Sequence, residues 1–188
     1  MASHPFFTGL RSPRILAHRG LVTDEMREEG IVENSVAAIA AAHAAGAQII
    51  ESDCHLTSDG VVVLFHDDTL ERVTGDPRAI ADVTLAELDE IMATRGGLAT
   101  LAQALDGFPE SRFNIDVKAA AAADPAGAIV ADYSDRVLLT SFSDARRRRA
   151  LAAARRTGGV PATSAGASVI LRLLLATRVL PLPALARR

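Results

Sequence analysis

Acids and histidines recur in the first third of this chain, each time where a short apolar run stops. His18-Arg19-Gly20 follows one run, Glu51-Ser52-Asp53 closes the next, and His66-Asp67 closes a third. Side chains alternate along a strand, so Glu51 and Asp53, two apart, share a face. A carboxylate pair at a strand end suits one hard cation. Two histidines at the ends of different strands can serve as base and acid near neutral pH.

The elements that must position these groups are legible. A short strand is predicted over 14–17. Glu33-Asn34-Ser35 then opens an alanine-rich helix running to about Ala45, with Asn34 or Ser35 as cap and Gly46 just past its end. Strands are predicted over 48–56 and 61–65, joined by the turn 57–60. Residues 67–82 read as a polar excursion. Thr84 with Glu87 and Thr100 with Gln103 have the spacing of capping boxes, each opening a helix. A strand over 113–118, a helix from Asp124-Pro125, a strand over 137–141 and a helix capped by Ser143 follow. Residues 159–164 suit one more short strand, and 168–179 a helix stopped by Pro181 and Pro183.

Strands alternating with helices imply an α/β fold with a parallel sheet. Acids and histidines at the C-terminal ends of strands fit a (β/α) barrel, which keeps its active site there. A doubly wound sheet would want a glycine-rich phosphate loop after the first strand, and only Gly20 is present.

Composition sets the bounds. The chain has 188 residues, 49% of them apolar and 23% charged, which suits one globular domain over 1–188. A net charge of −3 gives no reason to expect nucleic acid as a partner. Four consecutive arginines, 146–149, spread around a helix and read as a solvated face. The lone cysteine, Cys54, reads as a buried core thiol on the face opposite Asp53. No signal peptide is visible at the N-terminus, and the apolar run 169–175 is too short to span a bilayer. A cytoplasmic protein without a transmembrane segment is expected. His43 is read as structural, as is His55, set on the face away from Asp53; His4 is expected to be disordered.

Taken in order, the motifs are similar to those of the glycerophosphodiester phosphodiesterase family. The matching pieces are Ala17-His18-Arg19-Gly20, Val32-Glu33-Asn34-Ser35, Glu51-Ser52-Asp53, Thr57-Ser58-Asp59-Gly60, His66-Asp67, Leu70-Glu71-Arg72-Val73-Thr74, Asn114-Ile115-Asp116-Val117-Lys118 and Leu139-Thr140-Ser141-Phe142-Ser143. The resemblance covers about residues 14–166, with 67–98 as a short form of the family's insertion. It implies a TIM-type barrel of the phospholipase C-like phosphodiesterase kind. It also implies a divalent cation, Ca²⁺ or Mg²⁺, and hydrolysis of a small-molecule glycerophosphodiester to glycerol 3-phosphate and an alcohol.

By family position, Glu51, Asp53 and Asp116 are the metal ligands and His18 and His66 the catalytic pair. Arg19 and Lys118 are the phosphate-binding cations. Glu33 supports the site, either on the cation or by orienting Arg19 or His18. Asp116 stands where the family normally has a glutamate, one C–C bond or about 1.5 Å longer. A barrel of this type runs to about 250 residues, and the family's last aromatic-rich strand and terminal strand find no match here. The barrel is therefore expected to be incomplete at its C-terminus, or completed by another copy of the chain. The alternative to an enzyme is a truncated, inactive relative that binds phosphodiesters or a partner chain without turnover.

Overall fold

The computed structural model describes residues 4–179. One sheet contains β1 (Leu16–His18), β2 (Ile49–Leu56), β3 (Val62–Leu64), β4 (Arg112–Val117), β5 (Val137–Thr140) and β6 (Ala162–Thr163). Five strands run parallel in the order β1-β2-β4-β5-β6. β3 turns back antiparallel along the end of β2, beyond the point where β1 stops. Among the described residues β1 and β6 do not pair, so the sheet is an open arc of a barrel.

The helices are α1 (Asp24–Glu28), α2 (Val36–Ala44), α3 (Glu71–Thr74), α4 (Leu85–Met92), α5 (Leu101–Gly107), α6 (Ala123–Val130), α7 (Asp144–Arg156) and α8 (Ala167–Val179). Local chemistry explains their starts. Ser35, not Asn34, caps α2 by accepting from the Ala38 amide at 3.1 Å. Thr84 with Glu87 and Thr100 with Gln103 form complete capping boxes on α4 and α5. Ser143 caps α7, and Gly46 follows α2 in the left-handed region.

Strand register sorts the residues onto two faces. Ile50, Cys54, Phe113, Ile115, Val117 and Leu139 point one way and build the main core with α2, α5, α6 and α7. Cys54 is the buried thiol expected, and burial pushes its pKa far up. Residues 67–98 carry α3 and α4 and enclose their own apolar cluster around Phe65, Leu70, Ile80 and Leu88.

The other face starts apolar and ends acidic. Ile49, Leu138 and Ala162 meet Phe6 and Phe7 near the N-terminal ends of their strands. His4, expected to be disordered, instead accepts from the Phe6 amide and bonds the Val160 carbonyl at 2.8 Å. A proline-aromatic turn, Pro5–Phe7, gives it something to cap. Further along the strands this face carries Glu51, Asp53, Asn114 and Asp116.

The arginine run is not a uniform solvated face. Arg147 is buried, 3.3 Å from Asp144 and 3.1 Å from the Thr163 hydroxyl. Arg149 bonds Asp124 of α6. The spread of four residues around the helix turns one of them inward. In α8, Leu171, Leu173, Leu174 and Leu175 are exposed. The predicted stop at Pro181 and Pro183 lies outside the described residues.

Helices α6 and α7 cross at Gly127, where a Cβ would stand 2.1 Å from the Ala150 carbonyl oxygen and 2.8 Å from the Ala153 Cβ. Helix propensity alone favours alanine over glycine by about 1 kcal/mol. The backbone clash outweighs it, so Gly127→Ala should lower stability by about 1–3 kcal/mol. A denaturation midpoint that stays put or rises would contradict this tight crossing.

Candidate active site

The carboxylates meet because β2 and β4 are in parallel register. Glu51 is opposite Asn114 and Asp53 opposite Asp116, all on the face away from the main core. All three acids are buried. Lys118, just past the end of β4, places Nζ 3.0 Å from Asp53 Oδ1 and 2.7 Å from Asp116 Oδ2. Burial works against its charge, but these two bonds hold its pKa above the ordinary value. Its ammonium also lies 5.2 Å from the ring centre of Phe142, a largely exposed aromatic.

Glu51 has no such partner. Burial, reinforced by the charge of Asp53, pushes its pKa up to about 7. The Arg19 amide reaches its Oε2 at 3.1 Å and His18 Nε2 stands 3.9 Å from the same atom. Glu51, Asn114, Asp116, Thr140 and Phe142 border a cavity of about 520 Å³, closed on one side by Ile170, Leu171 and Leu174 of α8.

The His18-Arg19-Gly20 turn is held in a conformation few residues adopt. Arg19 has φ 59° and Gly20 φ 85°. A Cβ at Gly20 would lie 2.7 Å from the Ala38 backbone, so the turn is pressed against α2 and only glycine fits. The Arg19 amide donates to Glu51 O, and the Asn34 amide donates to Arg19 O. Asn34 is itself at φ 59° and buried; its amide group is 3.4 Å from Asp53 Oδ2, and Ser52 donates to its Oδ1. Arg19 Nε is buried, 3.5 Å from Asp53 Oδ2, and has no hydrogen-bond partner.

A chain of alternating charges runs from this turn to the second histidine. Arg19 Nη1 bonds Glu33 Oε1 at 2.7 Å, and Arg72 Nη2 bonds the same oxygen at 2.6 Å. Arg72 Nε bonds Asp67 Oδ2, and Asp67 Oδ1 is 2.5 Å from His66 Nδ1. Burial opposes the charge of Glu33 and of Asp67, but these donors keep both pKa values below the ordinary ones. His66 and Lys118 share a cavity of about 320 Å³ with Asp67 and Arg146. His18 is largely exposed and borders a different pocket, with Ala17 and Gly20.

The donor set suits a hard cation in chemistry. Asp116 Oδ1 and Asn114 Oδ1 are both buried without a hydrogen-bond partner, and the charged form of Glu51 is disfavoured by its burial. Oxygen-only donors of this kind match Ca²⁺ or Mg²⁺. Among the described residues no three His, Cys, Asp or Glu side chains already converge as a metal cage. Lys118 stands between the carboxylates instead.

The sequence profile of the glycerophosphoryl diester phosphodiesterase family matches residues 18–158. The chain belongs to that family. It is 34% identical over 164 residues to "Probable glycerophosphodiester phosphodiesterase 2" of Mycobacterium tuberculosis. That match covers 86% of this chain but only 59% of the relative, so the chain spans well under two thirds of its length. The crystal structure of a glycerophosphodiester phosphodiesterase from Thermotoga maritima matches with a TM-score of 0.60 and 30% identity, over 72% of this chain and 57% of that one. A phosphodiesterase from Oleispira antarctica, solved with the product sn-glycerol-3-phosphate, shares the fold at a TM-score of 0.61 and 24% identity, over 80% of this chain and 64% of that one.

Family membership and the arc of parallel strands agree with the resemblance read from the motifs. Glu51, Asp53, Asp116, Lys118 and Arg19 come together as one group, with Glu33 on Arg19. The two histidines reach it separately, His18 beside Glu51 and His66 beside Lys118. His55 departs from its expected placement: two residues from Asp53 on a strand, it shares that face, and its ring bonds the His66 carbonyl at 3.2 Å. Four further contributors were not singled out: Asn34, Asn114, Asp67 and Arg72. Alternation on β4 points to Asn114, two residues before Asp116. The other three sit inside quoted motifs, but nothing in the motifs gives their partners.

The raised pKa of Glu51 has a testable sign. The folded chain holds this proton more tightly than the unfolded chain, so deprotonation lowers stability. In EDTA-containing buffer, stability should therefore fall as pH rises from about 4.5 to about 7, by up to about 3 kcal/mol. Glu51→Gln should flatten that slope and be the more stable form above pH 7. Equal slopes in the two proteins would show that Glu51 titrates normally.

Proposed function

We propose that this site hydrolyses glycerophosphodiesters to glycerol 3-phosphate and an alcohol, aided by a divalent cation. The observation that carries this reading is the buried acid group of Glu51, Asp53 and Asp116, with unpartnered oxygens on Asp116 and Asn114 and a histidine on each flank. Membership of the family supports it.

Glu51, Asp53 and Asp116 would hold the cation, with Asn114 supplying a further oxygen. A bound cation would neutralise phosphate charge and make a coordinated hydroxyl or water more acidic. Lys118 then leaves its bridge and places its charge on the phosphate. Arg19, its fork fixed by Glu33, would bring its guanidinium charge to the phosphate. One histidine takes the proton of the attacking hydroxyl as the new P–O bond forms. The other delivers a proton to the departing alkoxide as the old P–O bond breaks. With the neighbouring glycerol hydroxyl as attacker this step gives a cyclic phosphate. The histidines then exchange roles as water adds to phosphorus and the ring P–O bond breaks, so that one water is consumed and glycerol 3-phosphate is released.

A second reading has its own observation. Ile15 and Leu16 at the β1 edge are exposed, as are the leucines of α8. These surfaces suit a chain that binds a partner, including a second copy, and does not turn over by itself. No helix among the described residues is long and apolar enough to cross a membrane.

The deciding assay measures glycerol 3-phosphate release from glycerophosphocholine with Ca²⁺, Mg²⁺ or EDTA, alongside solution mass. The hydrolytic reading predicts cation-dependent release that falls about 10²-fold or more in His18→Ala and in His66→Ala. No release from a cooperatively folded chain under any condition favours the binding reading. Release that persists in both variants overturns the assigned histidine roles.

A further inference from the structure

Two charged residues beside the site have no direct role in the chemistry. Asp67 and Arg72 are neither carboxylates on the cation side nor donors aimed at the cavity of Glu51. They nevertheless close a continuous path, His66–Asp67–Arg72–Glu33–Arg19, in which every link is a charge-assisted hydrogen bond. The path joins the loop after β3 to the turn after β1. Glu33 Oε1 is its hinge, taking Arg19 at 2.7 Å and Arg72 at 2.6 Å.

We propose that Asp67 is the positioning residue of His66: clamped by Arg72, its carboxylate keeps the imidazole proton on Nδ1 and leaves Nε2 as the atom that exchanges protons at the site. Donor and acceptor chemistry fixes the proton's place. An ionised carboxylate only accepts, so the ring nitrogen 2.5 Å from it must carry hydrogen. Arg72 Nε only donates, so it holds the other Asp67 oxygen and stops the carboxylate from rotating away. In the neutral ring Nε2 is then the lone-pair nitrogen. During turnover one proton arrives at or leaves Nε2, the Nδ1 proton stays, and Asp67 remains ionised.

The same chemistry sets the effect of Asp67→Asn, which keeps the shape and changes one acceptor into a donor. Arg72 claims the amide oxygen. The amide NH₂ is left facing His66 Nδ1, which must then accept, and the ring proton moves to Nε2. Asp67→Asn with Arg72→Leu reverses this. Without the guanidinium the amide can turn its oxygen to the ring, and the Nδ1–H form returns.

A purely structural role predicts something else. Arg72 is half-exposed, and partly exposed ion pairs of this kind contribute about 0–1 kcal/mol. Such a role would leave the ring tautomer alone and would not be rescued by removing a second charge.

The test is ¹⁵N NMR of the His66 ring, at a pH where it is neutral, in the full chain and both variants, with circular dichroism to check folding. We expect protonated Nδ1 in the wild type, protonated Nε2 in Asp67→Asn, and protonated Nδ1 again in the double variant. Protonated Nε2 in the wild type overturns the proposal without need of any variant. An unchanged tautomer in folded Asp67→Asn also overturns it. A kinetic arm rests on the hydrolytic reading: kcat for glycerophosphocholine should fall about 10²-fold in Asp67→Asn, with KM changed less than about threefold. Absence of turnover in the wild type would count against that reading alone, because the spectra need no substrate.

Discussion

Three buried carboxylates on one sheet face are the constraint to which the rest of the structure answers. Parallel register puts Asp53 beside Asp116 and Glu51 one pair behind. In general, two unit charges about 4 Å apart interact by about 4 kcal/mol at an effective dielectric of about 20. Lys118 supplies the compensating charge for two of the three. The third, Glu51, lacks such a lysine, and burial, reinforced by the charge of Asp53, raises its pKa to about 7. A fold keeps such a group only if something else stabilises it, and the apolar face of the same strands does so. Ile50, Ile115 and Val117 are fully buried on the reverse side.

The turns around this cluster follow from it. Arg19 and Asn34 both adopt positive φ, a strained choice for residues other than glycine. Each is held by bonds into the acid group or its neighbours: the Arg19 amide to Glu51, the Asn34 side chain to Asp53 and Ser52. Gly20 lets the first turn close against α2. Strain, charge and close packing are therefore concentrated at one end of the sheet, where this class of fold keeps its chemistry.

Much of this was legible in the sequence, for identifiable reasons. Capping boxes at Thr84 and Thr100 are local chemistry and came out as read. Alternation placed Glu51 with Asp53 on one face and Cys54 on the other. Other features escaped, His55 among them, which lies on the face of Asp53 and not away from it. The N-terminal turn of Pro5–Phe7 is anchored by a contact between His4 and Val160 that no local pattern encodes. Arg147 is buried because β6 and Asp144 offer it partners, which an arginine run does not reveal. The path through Asp67 and Arg72 depends on loops brought together only by the fold, although both residues stood inside recognisable motifs.

Cation binding tests the account most directly, because the acid group is its centre. Calorimetric titration of Ca²⁺ and of Mg²⁺ into the wild-type chain and into Asp116→Asn separates the outcomes. The account predicts a single site for one of the two cations in the wild type, lost in Asp116→Asn. Silence from both cations in a folded wild type, or equal affinity in the variant, would contradict it.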